Sequence, residues 1–204
     1  MLVIIDYGMG NLASVFNAFK KIGVLPVVSS DVSVVKKAEY LVLPGVGAFE
    51  DAIKNLRELG LDKCILEHIE SGKPFLGICL GLHLLFEKSY ENGQFRGLGV
   101  LKGEVVRFNV NLPVPHMGWN SVKIVKHDEM INGIKDGSYF YFDHSYYVRP
   151  SDDEVVILQS EYGVDFVVAI KKENVMGFQF HPEKSHNNGL KLLENFKNFK
   201  RYIC

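Results

Sequence analysis

Residues 73–90 read KPFLGICLGLHLLFEKSY. A short apolar run, Pro74–Ile78, leads into Cys79, and Gly81 opens a segment with Leu82, Leu84, Leu85 and Phe86 at helical spacing. Strand, tight turn with a nucleophile, helix: this is the G-x-S-x-G elbow with cysteine in place of serine. Gly77 and Gly81 leave room where a Cβ would crowd the turn. Such a turn exposes the Cys79 thiol at a strand's C-terminal end and sets the Leu80 N–H at a helix start. There the helix dipole favours thiolate over thiol, and a free N–H stabilises an oxyanion. A lone cysteine in an apolar run is more often simply buried, so the rest of the chain has to decide.

Working towards the N-terminus, strands are expected at Leu2–Ile5, Pro26–Ser29 and Tyr40–Leu43, with helices at Leu12–Ile22, Val32–Lys37, Glu50–Glu58 and Leu61–Glu70. Glycine-punctuated loops stand at Asp6–Asn11 (DYGMGN) and Pro44–Phe49 (PGVGAF). Alternating strand and helix predicts an α/β fold with a central, mostly parallel sheet covered on both faces. Working towards the C-terminus, Val100–Phe108, Ser121–Val125, Tyr139–Val148, Val155–Ser160, Phe166–Lys171 and Val175–Phe180 are β-rich. They are expected to extend the sheet in antiparallel fashion and to form a small additional antiparallel sheet. Gly189–Tyr202 carries Leu190, Leu193, Phe196 and Phe199 at helical spacing and should pack back on the sheet.

The 204 residues suit a single domain over 1–204, long enough to bury about 70% of the unfolded chain's surface. With 23 Lys and Arg against 24 Asp and Glu, and no block of like charge, neither nucleic acid nor an anionic membrane is an expected partner. Three cysteines (Cys64, Cys79 and Cys204) without paired or metal-like spacing point to reduced thiols and a cytoplasmic location. Asp6 comes too early for a signal peptide, and no run approaches the roughly 20 apolar residues of a membrane span. No cofactor and no metal is expected; His116 and His144 lack metal-ligand spacing.

A cysteine nucleophile needs a base, and the base needs an orienting group. His181-Pro182-Glu183 follows the apolar run Met176–Phe180. Residues two apart on an extended segment point the same way, so Glu183 can hold the His181 imidazole and fix its tautomer. Gly45, Val46 and Gly47, between a strand and a helix, can turn a backbone N–H towards an anion. Each of these segments alone has an ordinary structural reading. Three strand ends that supply nucleophile, base and anion site together describe acyl transfer by a Cys79–His181–Glu183 triad, with an oxyanion hole from Gly45–Gly47 and Leu80.

GICLG, PGVGAF and FHPEKS resemble the class I (triad) glutamine amidotransferases. DYGMGN, PHMGWN at Pro115–Asn120 and HSYY at His144–Tyr147 resemble the glutaminase-subunit type of imidazole glycerol phosphate synthase. The resemblance runs nearly end to end. It implies a flavodoxin-like fold, hydrolysis of L-glutamine to glutamate and ammonia, and a heterodimer with a (β/α)8-barrel cyclase subunit that takes the ammonia in histidine biosynthesis. It further implies that His83, His144, Ser145 and Tyr146 hold the substrate and that Asn11, Trp119 and Lys184 lie at the partner interface. Read without it, Trp119 is a core aromatic, Lys184 a solvated charge, Cys64 buried and inert, and Cys204 incidental.

Two residues depart from the family pattern. His83 stands where glutamine is usual, four residues after the nucleophile, and Lys102 where an acid is common. Histidine offers less reach than glutamine, and a lysine aimed at the substrate would repel its α-ammonium. Asp143 could supply a compensating negative charge. These departures keep open a paralogous glutaminase that feeds a sugar-amidating enzyme of surface glycan synthesis and a glutamine-binding module without turnover; a free-standing cysteine hydrolase on a related scaffold is a third reading, against which HPE and PHMGWN count.

Overall fold

The computed structural model describes residues 1–199, and its first half follows the expected alternation. In order come β1 (Leu2–Ile5), α1 (Leu12–Lys21), β2 (Val27–Ser29), α2 (Val32–Val35), β3 (Tyr40–Leu43), α3 (Phe49–Glu58), α4 (Leu61–Glu70) and β4 (Phe75–Ile78). β1 and β4 are buried along their whole length because helices cover both faces. Successive side chains enter opposite cores. Val3, Ile5, Leu41 and Leu43 pack with Phe49, Ile53, Leu56 and Ile65; Leu2, Ile4 and Val42 pack with Val15, Phe19, Leu192 and Phe196.

Beyond Cys79 the expected helix shrinks to a single turn, α5 (Leu80–His83), and the chain becomes a strand at β5 (Phe86–Ser89). Every residue from Leu80 to Phe86 is buried. With no polar face to maintain, apolar spacing there cannot distinguish helix from strand. The helix-dipole contribution expected at Cys79 therefore has only one turn behind it.

The remainder is β-rich: β6 (Phe95–Arg96), β7 (Leu101–Arg107), β8 (His116–Ser121), β9 (Lys123–Ile124), β10 (Tyr139–His144), β11 (Tyr146–Pro150), β12 (Val156–Glu161), β13 (Asp165–Lys172) and β14 (Val175–Phe178), then α6 (His186–Asn198). Two expectations change. PHMGWN supplies a strand, β8, and the single expected strand Tyr139–Val148 is two, broken at Ser145. β10 pairs with β8 in the small antiparallel sheet, whereas β11 joins the main sheet beside β7. Tyr202 and Cys204 lie outside the described residues.

The main sheet runs β2-β1-β3-β4-β14-β13-β11-β7-β5-β6, with β12 and β9 branching from β13. The five strands β2-β1-β3-β4-β14 are parallel. β4 sits between β3 and β14, with Gly77 in register with Leu43 on one side and Gly177 on the other. The loops that follow these three strands therefore meet at one end of the sheet, where parallel α/β folds build their sites.

Candidate active site

Cys79 adopts φ 53°, ψ −108°, an uncommon backbone state for a side chain with a Cβ. Its N–H donates to the Phe178 carbonyl at 2.7 Å, which ties the turn to β14. The flanking glycines are required by contact: a Cβ on Gly81 would lie 1.8 Å from the Leu43 carbonyl oxygen, and one on Gly77 would lie 2.6 Å from that of Gly81. The elbow is thus wedged between β3 and its own helical turn.

His181 follows β14 and is held by its neighbours. Its N–H donates to the Tyr141 carbonyl at 2.9 Å, and Ser185 bridges the His181 carbonyl (2.6 Å) and the Tyr141 N–H (3.0 Å). Glu183 Oε1 accepts from Nδ1 at 2.8 Å, with both side chains buried. Nε2 is buried and, among the described residues, has no hydrogen-bond partner. Burial pushes the imidazole towards its neutral form, but the Cys79 sulfur and the Glu183 carboxylate outweigh this and raise its pKa. His181 beside the Cys79 sulfur is the expected base, and Glu183 its expected orienter.

The oxyanion segment lies beside the thiol, but the Leu80 amide expected to work with it is not free. The Leu80 N–H donates to the Gly45 carbonyl at 3.3 Å. The buried Tyr7 hydroxyl donates to the Pro44 carbonyl at 2.8 Å and leaves 2.4 Å for any Cβ on Gly45. Burial raises the Tyr7 phenol well above its ordinary pKa, so it remains a donor. Gly47 has φ +110°, and Met9 packs over it, so DYGMGN and PGVG face each other. Val46 is exposed.

A cavity of about 370 Å³ opens on Cys79. Val46, Gly47, Leu80, His83, Glu91, Pro115, Asp143, His144, Ser145 and Tyr146 also line it. All four expected substrate residues are present, yet His83 Nε2 and both ring nitrogens of His144 have partners within the protein. His83 Nε2 contacts Gln179 Oε1 at 2.8 Å. His144 Nδ1 donates to the Tyr146 carbonyl at 2.8 Å, and its Nε2 accepts from His116 Nδ1 at 3.0 Å; Asn120 Nδ2 lies 3.3 Å from His116 Nε2. This chain admits one set of neutral tautomers. Burial lowers the pKa of His83 and His116 to about 4 and that of His144 well below its usual value. His144 therefore shapes the Ser145–Tyr146 wall rather than offering a nitrogen to the cavity.

The concern over Lys102 dissolves. It is exposed on β7 and does not line the cavity. The acids that do are Asp143 and Glu91, a residue the sequence reasoning missed. Glu91 Oε2 accepts from the Phe49 N–H at 2.9 Å, and burial raises its carboxyl pKa. Its only sequence signal is the turn dipeptide Asn92-Gly93 beside it. Gln179 was also missed, as an ordinary member of the run before HPE. It is fully buried, with Nε2 3.9 Å from Cys79 Sγ.

Trp119 is not core: it is 45% exposed, stacked on His186 at 5.0 Å and 7°. Met117 and Tyr139 are exposed on the same small sheet. Lys184 Nζ lies 5.3 Å over the Tyr141 ring, and Lys184 shares a groove with Ser14, Asn17 and Lys21 of α1. Asn11 caps α1, accepting from the Ser14 N–H at 3.2 Å. Cys64 is buried, and burial raises its thiol pKa.

The family model described as glutamine amidotransferase class-I matches residues 3–199. "Imidazole glycerol phosphate synthase subunit HisH" of Aquifex aeolicus is 58% identical over 196 residues, 96% of this chain and 95% of that protein. The like-named protein of Rhodopirellula baltica is 52% identical over 96% of each chain. A crystal structure of a glutamine amidotransferase superposes with TM-score 0.74 at 21% identity, covering 96% of this chain and 98% of the other. PurLQS from Thermotoga maritima gives 0.73 at 20% identity, covering 97% of each. At these identities the structural matches bear on the fold alone, a mostly parallel sheet flanked by helices with a small antiparallel sheet, as expected.

Proposed function

We propose that the chain, which belongs to the glutamine amidotransferase class-I family, is the glutaminase subunit of an imidazole glycerol phosphate synthase. The carrying observation is the His181 imidazole, bound through Nδ1 to a buried Glu183 and charged by the Cys79 sulfur.

Cys79, as thiolate, attacks the side-chain carboxamide carbon of glutamine. Leu80 N–H and an amide of Gly45–Gly47 stabilise the tetrahedral oxyanion. The His181 imidazolium protonates the departing ammonia, leaving a glutamyl thioester. His181 then takes a proton from water, whose hydroxide releases glutamate and returns the thiolate. Glu183 keeps the ring in register throughout. Glu91 and Asp143, the carboxylates at the cavity, suit the substrate's α-ammonium. Ammonia passes to a (β/α)8-barrel cyclase subunit docked over Asn11, Trp119 and Lys184.

The names of the relatives support this acceptor over a sugar-amidating enzyme, and the orienting carboxylate at His181 favours turnover over binding alone. No helix among the described residues is long and apolar enough to cross a membrane; we place the heterodimer, with one amidotransferase domain over 1–204, in the cytoplasm. The test is Cys79→Ala in complex with a cyclase subunit. It should abolish glutamine-dependent synthesis while synthesis from added ammonia continues; loss of both would overturn the two-subunit reading.

A further inference from the structure

His83 and Gln179 are buried against each other within reach of the nucleophile, and the triad mechanism uses neither. Gln179 is fully buried and His83 4% exposed, so their polar atoms depend on one another. The Gln179 backbone N–H donates to the Val168 carbonyl at 2.8 Å, which fixes the side chain's origin on the β13 side of the elbow. Its amide has two ends. Oε1 lies 2.8 Å from His83 Nε2, and Nε2 lies 3.9 Å from Cys79 Sγ.

An amide can be turned over with little change of shape, so something must choose its orientation. Burial lowers the His83 pKa to about 4, and the ring is neutral at pH 7. A neutral imidazole with its hydrogen on Nε2 donates to Oε1, and the amide N–H bonds then face the sulfur. In the opposite orientation the Gln179 carbonyl would meet the thiolate, and like partial charges in a low-dielectric site repel. We propose that His83 is a positioning residue. Its Nε2–H selects the orientation of the Gln179 amide that presents an N–H to the Cys79 thiolate, and it does not serve as a ligand of the substrate.

This rests on the triad reading, with Cys79 as nucleophile, but it can be tested without glutamine turnover. The probe is iodoacetamide alkylation of Cys79 in the full-length free chain, followed by peptide mass spectrometry at that residue. His181 and Tyr7, whose charges couple to Cys79, and His144, which couples to His83, are unchanged in every variant. His83→Leu and Gln179→Leu should each slow alkylation about tenfold at pH 7 and less than twofold at pH 10, above the range in which ordinary cysteine thiols ionise. The double variant should be no slower than Gln179→Leu, because both act through one amide. His83→Gln, whose amide can also donate to Oε1, should stay within about twofold of the parent. The isosteric Gln179→Glu preserves the packing and aims an oxygen at the sulfur, so it should be the slowest at pH 7. In the complex, His83→Leu should lower kcat for glutamine about tenfold with KM changed less than about threefold.

Equal slowing at both pH values would assign His83 to folding or access, and overturn the proposal. So would unchanged alkylation with a raised KM, which would make His83 a substrate ligand. If the parent complex releases no ammonia from glutamine, the glutaminase reading fails, while the alkylation series still decides the role of His83.

Discussion

The amide N–H of Leu80 donates to the carbonyl oxygen of Gly45 at 3.3 Å. The donor we propose for the oxyanion is thus held by the loop proposed to supply its companion. In this state Cys79 and His181 stand together, but charge developing on a substrate oxygen would have no free amide from Leu80.

The free chain should consequently be a poor glutaminase. Losing one oxyanion donor costs roughly 10²–10³ in kcat, so adding a cyclase subunit should raise ammonia release from glutamine at least about 100-fold. Full turnover by the isolated chain would show that the Leu80–Gly45 bond does not restrain catalysis.

Glu183→Gln preserves shape but removes the charge that helps keep His181 protonated. In the complex, kcat for glutamine should fall at least about 100-fold with KM nearly unchanged, and synthesis from added ammonia should be untouched. A KM effect alone would move Glu183 out of the triad.

Gly81→Ala should be severe in fold as well as in activity. The added Cβ would meet the Leu43 carbonyl at 1.8 Å, so β3 and the elbow must separate. A loss of about 1–3 kcal/mol or more in urea unfolding is expected, with glutaminase activity abolished. A stable, active variant would mean that the elbow tolerates a wider turn.

Acid should destabilise the chain. His68, His83, His116 and His144 are buried with pKa values held below normal, chiefly by burial. The unfolded chain binds protons at these rings near pH 6.5, and the folded chain does not until about pH 4 or below. Their stabilisation is complete above pH 6.5 and falls as pH drops through that window, by up to about 2 kcal/mol per ring between pH 6.5 and 5. His181, with its pKa raised, acts in the opposite sense: its contribution is present at low pH and fades on the alkaline side. Urea unfolding at pH 7 and pH 5 measures the difference. His68→Gln, remote from the site, should shrink it by one ring's share; a pH-independent midpoint would contradict the assignment.

Trp119→Ala should leave the free chain's Tm within about 2 °C of the parent, because the indole is 45% exposed. Cyclase affinity should fall about 30-fold or more, as for a central aromatic of an interface. An unchanged Kd would put the partner elsewhere.

The parallel half of the fold was legible because its strands are short apolar runs punctuated by glycine and its helices are amphipathic. β1, β3 and α4 fall where the pattern puts them. Legibility failed at Leu80–Phe86 and at Tyr139–Val148. The first is buried throughout and carries no period. In the second, nothing in the residue types announces that Ser145 passes the chain from one sheet to another. Cys79, His181 and Glu183 were legible as a candidate triad, since a thiol after a strand, bracketed by glycines, and a histidine two residues from a carboxylate are local patterns.

The sequence by itself determined the elbow: Gly77 and Gly81 around Cys79 permit a turn that few other residues allow. Tertiary structure decided what the elbow faces. Placing β4 between β3 and β14 brings Gly45 and His181 to the thiol from more than 30 and 100 residues away. It also sets Glu91 in the cavity, leaves Lys102 outside it, and turns His83 towards Gln179. Those relations depend on strand order and register, which arise from how the apolar faces pack together and are written in no single stretch of the chain.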